Sequence, residues 1–404
     1  MSKNMLILHG GGPTAVINAS LYGAYREAER DERVGKIYGA IGGTSGLLRE
    51  CLMDLRTIDE RQMELLPATP GSAIGTSRDA LESGEYRRMA EVIGSYGIDW
   101  LLCNGGNGTM EMCGKLHEAC EALGLSVNVI GIPKTMDNDL AVTDHCPGYG
   151  SAARYIAQSV REVCLDVKSM PIHVVVVEVS GRNAGWVAAA SALAGDGGQQ
   201  GPDLIYLPER PFLEREFLRD VSAMIEQKKG VVVVASEGLV GPDGKPVVPP
   251  VFKAGRSVYY GDVSAHLANL VIRKLHYKAR GEKPGLLGRA SVALQSPVDR
   301  EEARLAGETA CRAALAGESG KMVAFRRLST EPYRVEPFLA DIRDVMLTER
   351  KMPDVFINEH GNGVTEEFLD WCRPLIGPPL PEMASFRAAP IPPADQKRGE
   401  RTIC

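Results

Sequence analysis

The feature that most constrains this chain is a repeated local order: a short apolar run, a glycine-rich turn, then a helical pattern. Met5-Leu6-Ile7-Leu8 runs into Gly10-Gly11-Gly12-Pro13, and a helical pattern follows from about Thr14 to Arg30. Trp100-Leu101-Leu102-Cys103 runs into Asn104-Gly105-Gly106-Asn107-Gly108-Thr109, and a second helical stretch reaches Leu123. Val127 to Ile132, Val174 to Val179 and Val231 to Ala235 are further apolar runs, the last two rich in valine. Continuous apolar strands separated by helices belong to parallel sheets covered on both faces. The predicted class is therefore α/β, with two lobes that are each a mostly parallel sheet sandwiched by helices; 404 residues are ample for two such cores. Leu239 to Phe252 (LVGPDGKPVVPPVF) reads as a loop or hairpin, and 381–404 reads as a surface tail.

Composition narrows the function classes. Lys and Arg number 46 against 52 Asp and Glu, a net charge of −6, so a nucleic-acid partner is not expected. The basic cluster Arg273 to Arg280 (RKLHYKAR) reads as a solvated helix face. The apolar run near Met5 stops at three glycines, too short for a secretory signal, and no stretch reaches the roughly 20 apolar residues of a membrane span. Nine scattered cysteines contain no CxxC pair, which predicts a reduced, cytoplasmic protein without a zinc site. His9, His117, His145, His266, His276 and His360 are isolated in sequence, Trp186 reads as a packing anchor, and Cys146 and Cys164 read as buried thiols.

The two glycine loops are the first candidate site. A strand, a glycine turn and a helix start bring backbone N–H groups and the positive end of a helix dipole to one point, where an anion can sit. One such loop is equally well a tight turn with no ligand; two in one lobe point to a phosphate site. No GxxxxGK[ST] is present, and Gly148-Tyr149-Gly150-Ser151-Ala152-Ala153 follows Cys146-Pro147 rather than a strand, so neither a Walker loop nor a dinucleotide fingerprint is read.

The second candidate is Pro133-Lys134-Thr135-Met136-Asp137-Asn138-Asp139. Two carboxylates and a lysine follow a buried strand, and strand ends are where α/β sheets bind ligands. Phosphoryl transfer to an alcohol needs a carboxylate to take the hydroxyl proton, oxygen ligands for Mg²⁺, and cations on the moving group. Asp137, Asp139 and Lys134 are residue types that can fill these roles. An Asx-rich solvated turn would have the same composition.

These segments, with Glu178-Val179-Ser180-Gly181-Arg182-Asn183-Ala184-Gly185-Trp186, Ser236-Glu237-Gly238, Leu207-Pro208-Glu209-Arg210-Pro211-Phe212 and Asp354 to Gly363, resemble in order the signatures of the phosphofructokinases, and most of all the bacterial pyrophosphate-dependent branch. The resemblance covers nearly the whole chain. It implies a donor-binding lobe of 1–147 with about 288–340, an acceptor lobe of 148–287 with about 341–380, and a homo-oligomer (dimer or tetramer) with an acceptor site partly completed by a neighbour. It implies that Asp137 is the general base and that Thr135, Lys134 and Arg182 serve the moving phosphoryl group. Gly11, Gly12, Arg78, Gly105, Gly106, Asn107, Gly108 and Thr109 would line the donor. Thr135, Asp137, Asp139, Ser180, Gly181, Arg182, Glu237, Arg289 and His173 would surround the acceptor. Asp139 and Asn107 would hold Mg²⁺.

Two departures bear on specificity. Pyrophosphate-type members usually pair an Asp at position 108 with the motif lysine; here Gly108 stands beside Lys134, which frees volume for a nucleotide phosphate and favours ATP over pyrophosphate. On the acceptor side, His173 stands where Arg or Lys is common, Ser180 stands in place of Met, and Gln295 is followed directly by Ser296, which reads as a short deletion that removes a sugar-phosphate arginine. The expectation is phosphoryl transfer from ATP to the C1 hydroxyl of a phosphorylated sugar, fructose 6-phosphate by default. Pyrophosphate as donor, another sugar or sugar phosphate as acceptor, and a non-catalytic regulatory homologue are the alternatives.

Overall fold

A computed structural model describes residues 3–169, 173–228, 230–254 and 257–384, except the side chains of 173, 253, 254 and 257–260. The strands in chain order are β1 (Lys3–His9), β2 (Val34–Ala40), β3 (Leu52–Asp54), β4 (Ile98–Gly105), β5 (Asn128–Pro133), β6 (His173–Val179), β7 (Leu204–Tyr206), β8 (Gly230–Ser236), β9 (Pro250–Ala254), β10 (Ser257–Tyr260), β11 (Ala279–Glu282), β12 (Lys321–Thr330) and β13 (Tyr333–Asp341). Among the described residues they form a seven-stranded sheet in the order β13-β12-β5-β4-β1-β2-β3, a four-stranded sheet in the order β11-β6-β8-β7, and the hairpin β9-β10.

The apolar runs become the central strands for the expected reason. Met5 to Leu8 and Leu101 to Cys103 are fully buried, and β1, β2, β4 and β5 pair in parallel. Short antiparallel additions, β3 on one side and β13 on the other, close the edges. The smaller sheet is parallel throughout, its valines packed between helices on both faces. The expected α/β architecture of two helix-covered, mostly parallel sheets is thus present. In the larger sheet β2 lies on one side of β1 and β4 on the other, so the chain reverses direction of travel at β1–β4. A crevice at the carboxyl ends of such a pair is where open α/β sheets bind ligands.

Two expectations change in detail. Arg273 to Arg280 is not one helix face. The helix Val263–Leu275 ends at His276, whose φ is 58°, and β11 begins at Ala279, so the cations are split among a helix end, a turn and an edge strand. Most of the tail, 385–404, lies outside the described residues. Among the described residues no helix is long and apolar enough to cross a membrane. Trp186 is buried, its ring 4.9 Å from that of Trp371, as expected of an anchor. Cys146 and Cys164 are buried as well, which pushes their thiols up to about 12.

The helix Tyr149–Ser169 starts within the GYGSAA segment, and its first turn is held by a side chain from far away. Asp299, 1% exposed, accepts from the Gly148 and Ser151 amides (2.8 and 2.9 Å) and from Ser151 Oγ (2.5 Å). Burial raises this carboxyl to about 6 despite those bonds. A carboxylate at a helix N-terminus is favoured by the unpaired amides and the dipole. Asp299→Ala is therefore expected to cost about 3 kcal/mol of unfolding free energy by leaving those donors unpaired, measured by denaturant unfolding; a loss under about 0.5 kcal/mol would refute the capping role.

Candidate active site

The loop after β1 is held open by backbone bonds. Gly10 N donates to Asn104 O (2.9 Å), Gly11 N to Ser77 O (2.9 Å), and Thr76 Oγ1 to Gly11 O (2.8 Å). Gly11 has a φ of 77°, a left-handed conformation that glycine adopts without cost. Gly12 is glycine for space: a Cβ there would lie 2.8 Å from Arg78 Nη2 and 3.0 Å from Arg289 Nη1. Two guanidinium groups therefore close over this loop. Arg78 is where the resemblance puts it. Arg289, expected at the acceptor, lies beside Gly12 of this loop, where Asp137 also acts on its charge.

The second loop follows β4. The helix Asn107–Ala122 starts after Gly106, so its free amides face the same crevice. Thr109, expected to line the donor, is buried in the space that Cβ atoms on Gly10 and Gly105 would fill, with Oγ1 2.3 and 2.1 Å from those positions. Its side chain locks the two loops together. Gly108 is exposed, and nothing lies within 4 Å of where its Cβ would be. Asn107 Nδ2 donates to Asp139 Oδ2 (2.8 Å), while Asn107 Oδ1 is buried with no hydrogen-bond partner.

The segment after β5 carries the titratable groups. Lys134 is 3% exposed and donates through Nζ to Gly12 O (2.5 Å), beneath the first loop; burial lowers it to about 8, although Asp137 works the other way. Thr135 Oγ1 accepts from the Asp137 amide (3.1 Å) and donates to Asp139 Oδ1 (3.2 Å). Asn138 takes a φ of 54° between the two aspartates and accepts from the Cys146 amide (2.9 Å), a turn that Asn tolerates. Asp137 is raised to about 7, first by burial, then by Asp139 and Glu237, with Lys134 and Arg182 opposing. Asp139 is raised by burial, and Glu349 adds to the rise.

The smaller sheet supplies the opposite wall. Ser180, Gly181 and Arg182 follow β6, and Glu237 follows the neighbouring β8. Gly181 N donates to Glu237 Oε1 (3.4 Å), Gly181 O accepts from Ser236 Oγ, and a Cβ on Gly238 would collide with Arg182 O at 1.7 Å. Gly238 thus lets the two loops touch. His173 opens β6, and its side chain lies outside the described residues. Gln295 and Ser296 are structural: Gln295 Nε2 donates to Ala15 O (2.6 Å) and Pro67 O (2.9 Å), and Ser296 caps the helix Pro297–Leu315.

A pocket between the walls is lined by Met136, Tyr155, Ser180, Glu237, Glu178 and Lys283. The last two were not read from sequence. Lys283 Nζ pairs with Glu178 Oε1 at 2.6 Å, and Glu178 Oε2 accepts from the Ser264 amide. Glu178 lies inside an apolar run and Lys283 a hundred residues later, so only the fold joins them. Glu349, which pairs with Asn183, was missed for the same reason.

Taken together, two anion-binding loops with Arg78, Arg289 and Lys134 face a carboxylate pair, and beyond it lies a polar pocket. The phosphofructokinase family model matches residues 4–355. The chain belongs to the phosphofructokinase family. It is 40% identical to a pyrophosphate–fructose 6-phosphate 1-phosphotransferase of Xanthomonas campestris over 92% of this chain and 91% of that one. It is 33% identical to a sulfofructose kinase of Alkalicoccus urumqiensis, over 91% and 94%. The crystal structure of a pyrophosphate-dependent phosphofructokinase from Marinobacter aquaeolei superposes with a TM-score of 0.85 at 35% identity, over 95% of this chain and 94% of that one.

For a phosphofructokinase-family site the pH dependence has a definite sign. If Asp137 serves as the base that the resemblance implies, it must be unprotonated, and activity is expected to fall as pH drops below about 7, the value to which it is raised. If Lys134 binds phosphate it must be charged, and activity is expected to fall as pH rises past about 8, the value to which it is lowered. The kcat/KM profile should peak between these limits. A profile flat from about pH 5.5 to 9 would contradict both assignments.

Proposed function

We propose that this phosphofructokinase-family chain transfers a phosphoryl group from pyrophosphate to the C1 hydroxyl of fructose 6-phosphate. The observation that carries the chemistry is Asp137: a carboxylate pushed to about 7, flanked by cations at the meeting point of the donor loops and the acceptor pocket. In this reading Asp137 takes the proton from the attacking hydroxyl, worth about 10²–10⁴-fold in rate. Lys134, Arg78 and Arg289 bind the donor's phosphates with the amides of the two loops, and Arg182 meets the charge that develops on the moving group. Thr135 holds Asp137 and Asp139 in register. Glu237, Ser180 and Gly181 bind sugar hydroxyls.

The oxygen set also suits Mg²⁺, which supplies charge neutralisation on the donor phosphates when bound. Asn107 Oδ1 is a buried acceptor without a partner beside the Asp139 carboxylate. Among the described residues no three His, Cys, Asp or Glu form a cage, which accords with a cation held by one or two protein oxygens together with phosphate and water. The donor lobe is 1–147 with about 288–340, the acceptor lobe 148–287 with about 341–380, and the assembly a homo-oligomer.

Pyrophosphate is preferred as donor because the Xanthomonas and Marinobacter relatives carry that name across nearly their whole length. ATP is the second reading, and the empty space at Gly108 favours it. A second acceptor reading rests on Lys283. It is the one cation lining the pocket in the described chain, it is already paired with Glu178, and Glu237 adds a further carboxylate. Such a balance suits a less highly charged group at C6 than a phosphate dianion, and one relative is named for a sulfonated sugar.

Turnover measured with each donor against fructose 6-phosphate and its 6-sulfonate analogue separates these readings. Asp137→Ala is expected to lower kcat about 10³-fold with KM changed little; survival of turnover would remove Asp137 as base. Gly108→Asp should lower ATP use at least about tenfold relative to pyrophosphate by filling the open volume with a carboxylate. An unchanged donor ratio would show that Gly108 does not set donor choice.

A further inference from the structure

The loop after Val345 reaches both walls of the cleft. Glu349 and Leu140 form an antiparallel bridge, and Arg350 N donates to Asp139 O at 2.8 Å, so the backbone of this loop is stitched to the segment that carries the aspartates. The Arg350 guanidinium donates to Thr143 O and Asp144 O of that same segment and lies 4.5 Å from the centre of the Trp186 ring. Trp186 opens the short helix that follows the Arg182 turn. The Glu349 side chain completes the link: its two carboxylate oxygens lie 3.0 and 2.9 Å from Asn183 Nδ2, the residue next to Arg182. One dipeptide thus touches the Asp137–Asp144 segment from the larger sheet and the Arg182–Trp186 segment from the smaller one.

The Arg182 turn is anchored on both sides, and Gly238 packs against its backbone. Gly181 has a φ of 131°, and on the far side the turn is held by Ser236 and Glu237 through Gly181. The next anchors along the chain are Asn183 on Glu349 and the Gly185 amide on Glu209 (2.9 Å). Glu209 also accepts from the Met352 amide (3.2 Å), so the loop after Val345 meets the Arg182 turn a second time.

We propose that Glu349 and Arg350 are positioning residues for phosphoryl transfer, clasping the Asp137–Asp144 segment to the Arg182–Trp186 segment so that base and cation keep one separation across the cleft. This rests on the reading of Asp137 as base and Arg182 as phosphoryl-group cation. Glu349 and Asn183 are exposed, so removing their side-chain link is expected to leave the fold intact, and the clasp can be tested without unfolding the chain. Arg350 is mostly buried and anchors the loop; Glu349 is the half of the clasp that a variant can remove cleanly.

The test uses the full chain with its best donor and acceptor pair. Glu349→Ala and Asn183→Ala are each expected to lower kcat about tenfold, with KM for the donor within about twofold and the melting temperature unchanged. Glu349→Gln keeps an acceptor oxygen for Asn183 Nδ2 and is expected to recover most of the lost kcat. The double variant Glu349→Ala with Asn183→Ala should be no slower than either single one, because both break the same link. Wild-type kcat in Glu349→Ala, losses that multiply in the double variant, a loss seen only together with a lowered melting temperature, or no recovery in Glu349→Gln would each overturn the proposal. Full activity in Asp137→Ala would instead overturn the underlying reading, whatever Glu349 does.

Discussion

The site depends on burying one carboxylate beside another. Asp137 and Asp139 lie two residues apart at a strand end, enclosed enough that burial, with the carboxylates nearby, pushes both upward. Two such charges are tolerable only with cations close by, and the fold brings Lys134 and Arg182 from opposite sheets to supply them. Lys134 is itself buried and held down to about 8, so it too is only partly satisfied by the protein. A site with this balance is completed by an anionic ligand. Phosphate oxygens at the two glycine loops would meet Arg78, Arg289 and Lys134, whose mutual repulsion Asp137 and Asp139 offset only in part.

The sheet order explains why these groups meet. β1, β4 and β5 are neighbours, and their carboxyl ends deliver the first loop, the second loop and the aspartate segment side by side. β6 and β8 are likewise neighbours and deliver Arg182 and Glu237 together. Contacts between loops then fix the details. Thr109 fills the space beside Gly10 and Gly105, and Gly238 lets the Arg182 turn approach. Behind the site, His145 is paired with Asp144 and Glu302 (2.8 and 2.7 Å). Burial opposes its charge, yet the two carboxylates raise it to about 9. Arg327 and Trp371 also reach Asp144, so the segment carrying the aspartates is braced against β12 and the helix Glu366–Cys372.

What was legible in the sequence was what local order dictates. The order strand, glycines, helix is local, so both loops, the strands and the aspartate segment lie where expected, though the first helix begins at Ile17 rather than near Thr14. What was not legible arises from residues far apart in the chain. Nothing near Arg289 says that a four-residue helix brings it beside Gly12, on an element far away in the chain and next to the pocket lined by Gly288. His145 reads as isolated because Glu302 lies 157 positions away. The shortened stretch at Gln295 suggested a lost phosphate contact, yet Gln295 binds backbone carbonyls of the larger sheet's own lobe and has no part in the pocket.

Donor and acceptor choice turn on different physical quantities. In the proposed reading, the cations at the glycine loops would suit any chain of phosphates, so discrimination between donors would fall to volume, and the open volume is at Gly108, where nothing stands within 4 Å of an added Cβ. In the acceptor pocket, volume is less decisive than charge. Lys283 is shared with Glu178, which is 2% exposed and cannot turn to water for relief. A dianion entering there must compete with a buried carboxylate for one ammonium group, whereas a singly charged group asks less of it. A neighbouring subunit that contributes cations would change that balance. In the proposed reading acceptor choice thus rests on charge balance at Glu178 and Lys283, and donor choice on space at Gly108.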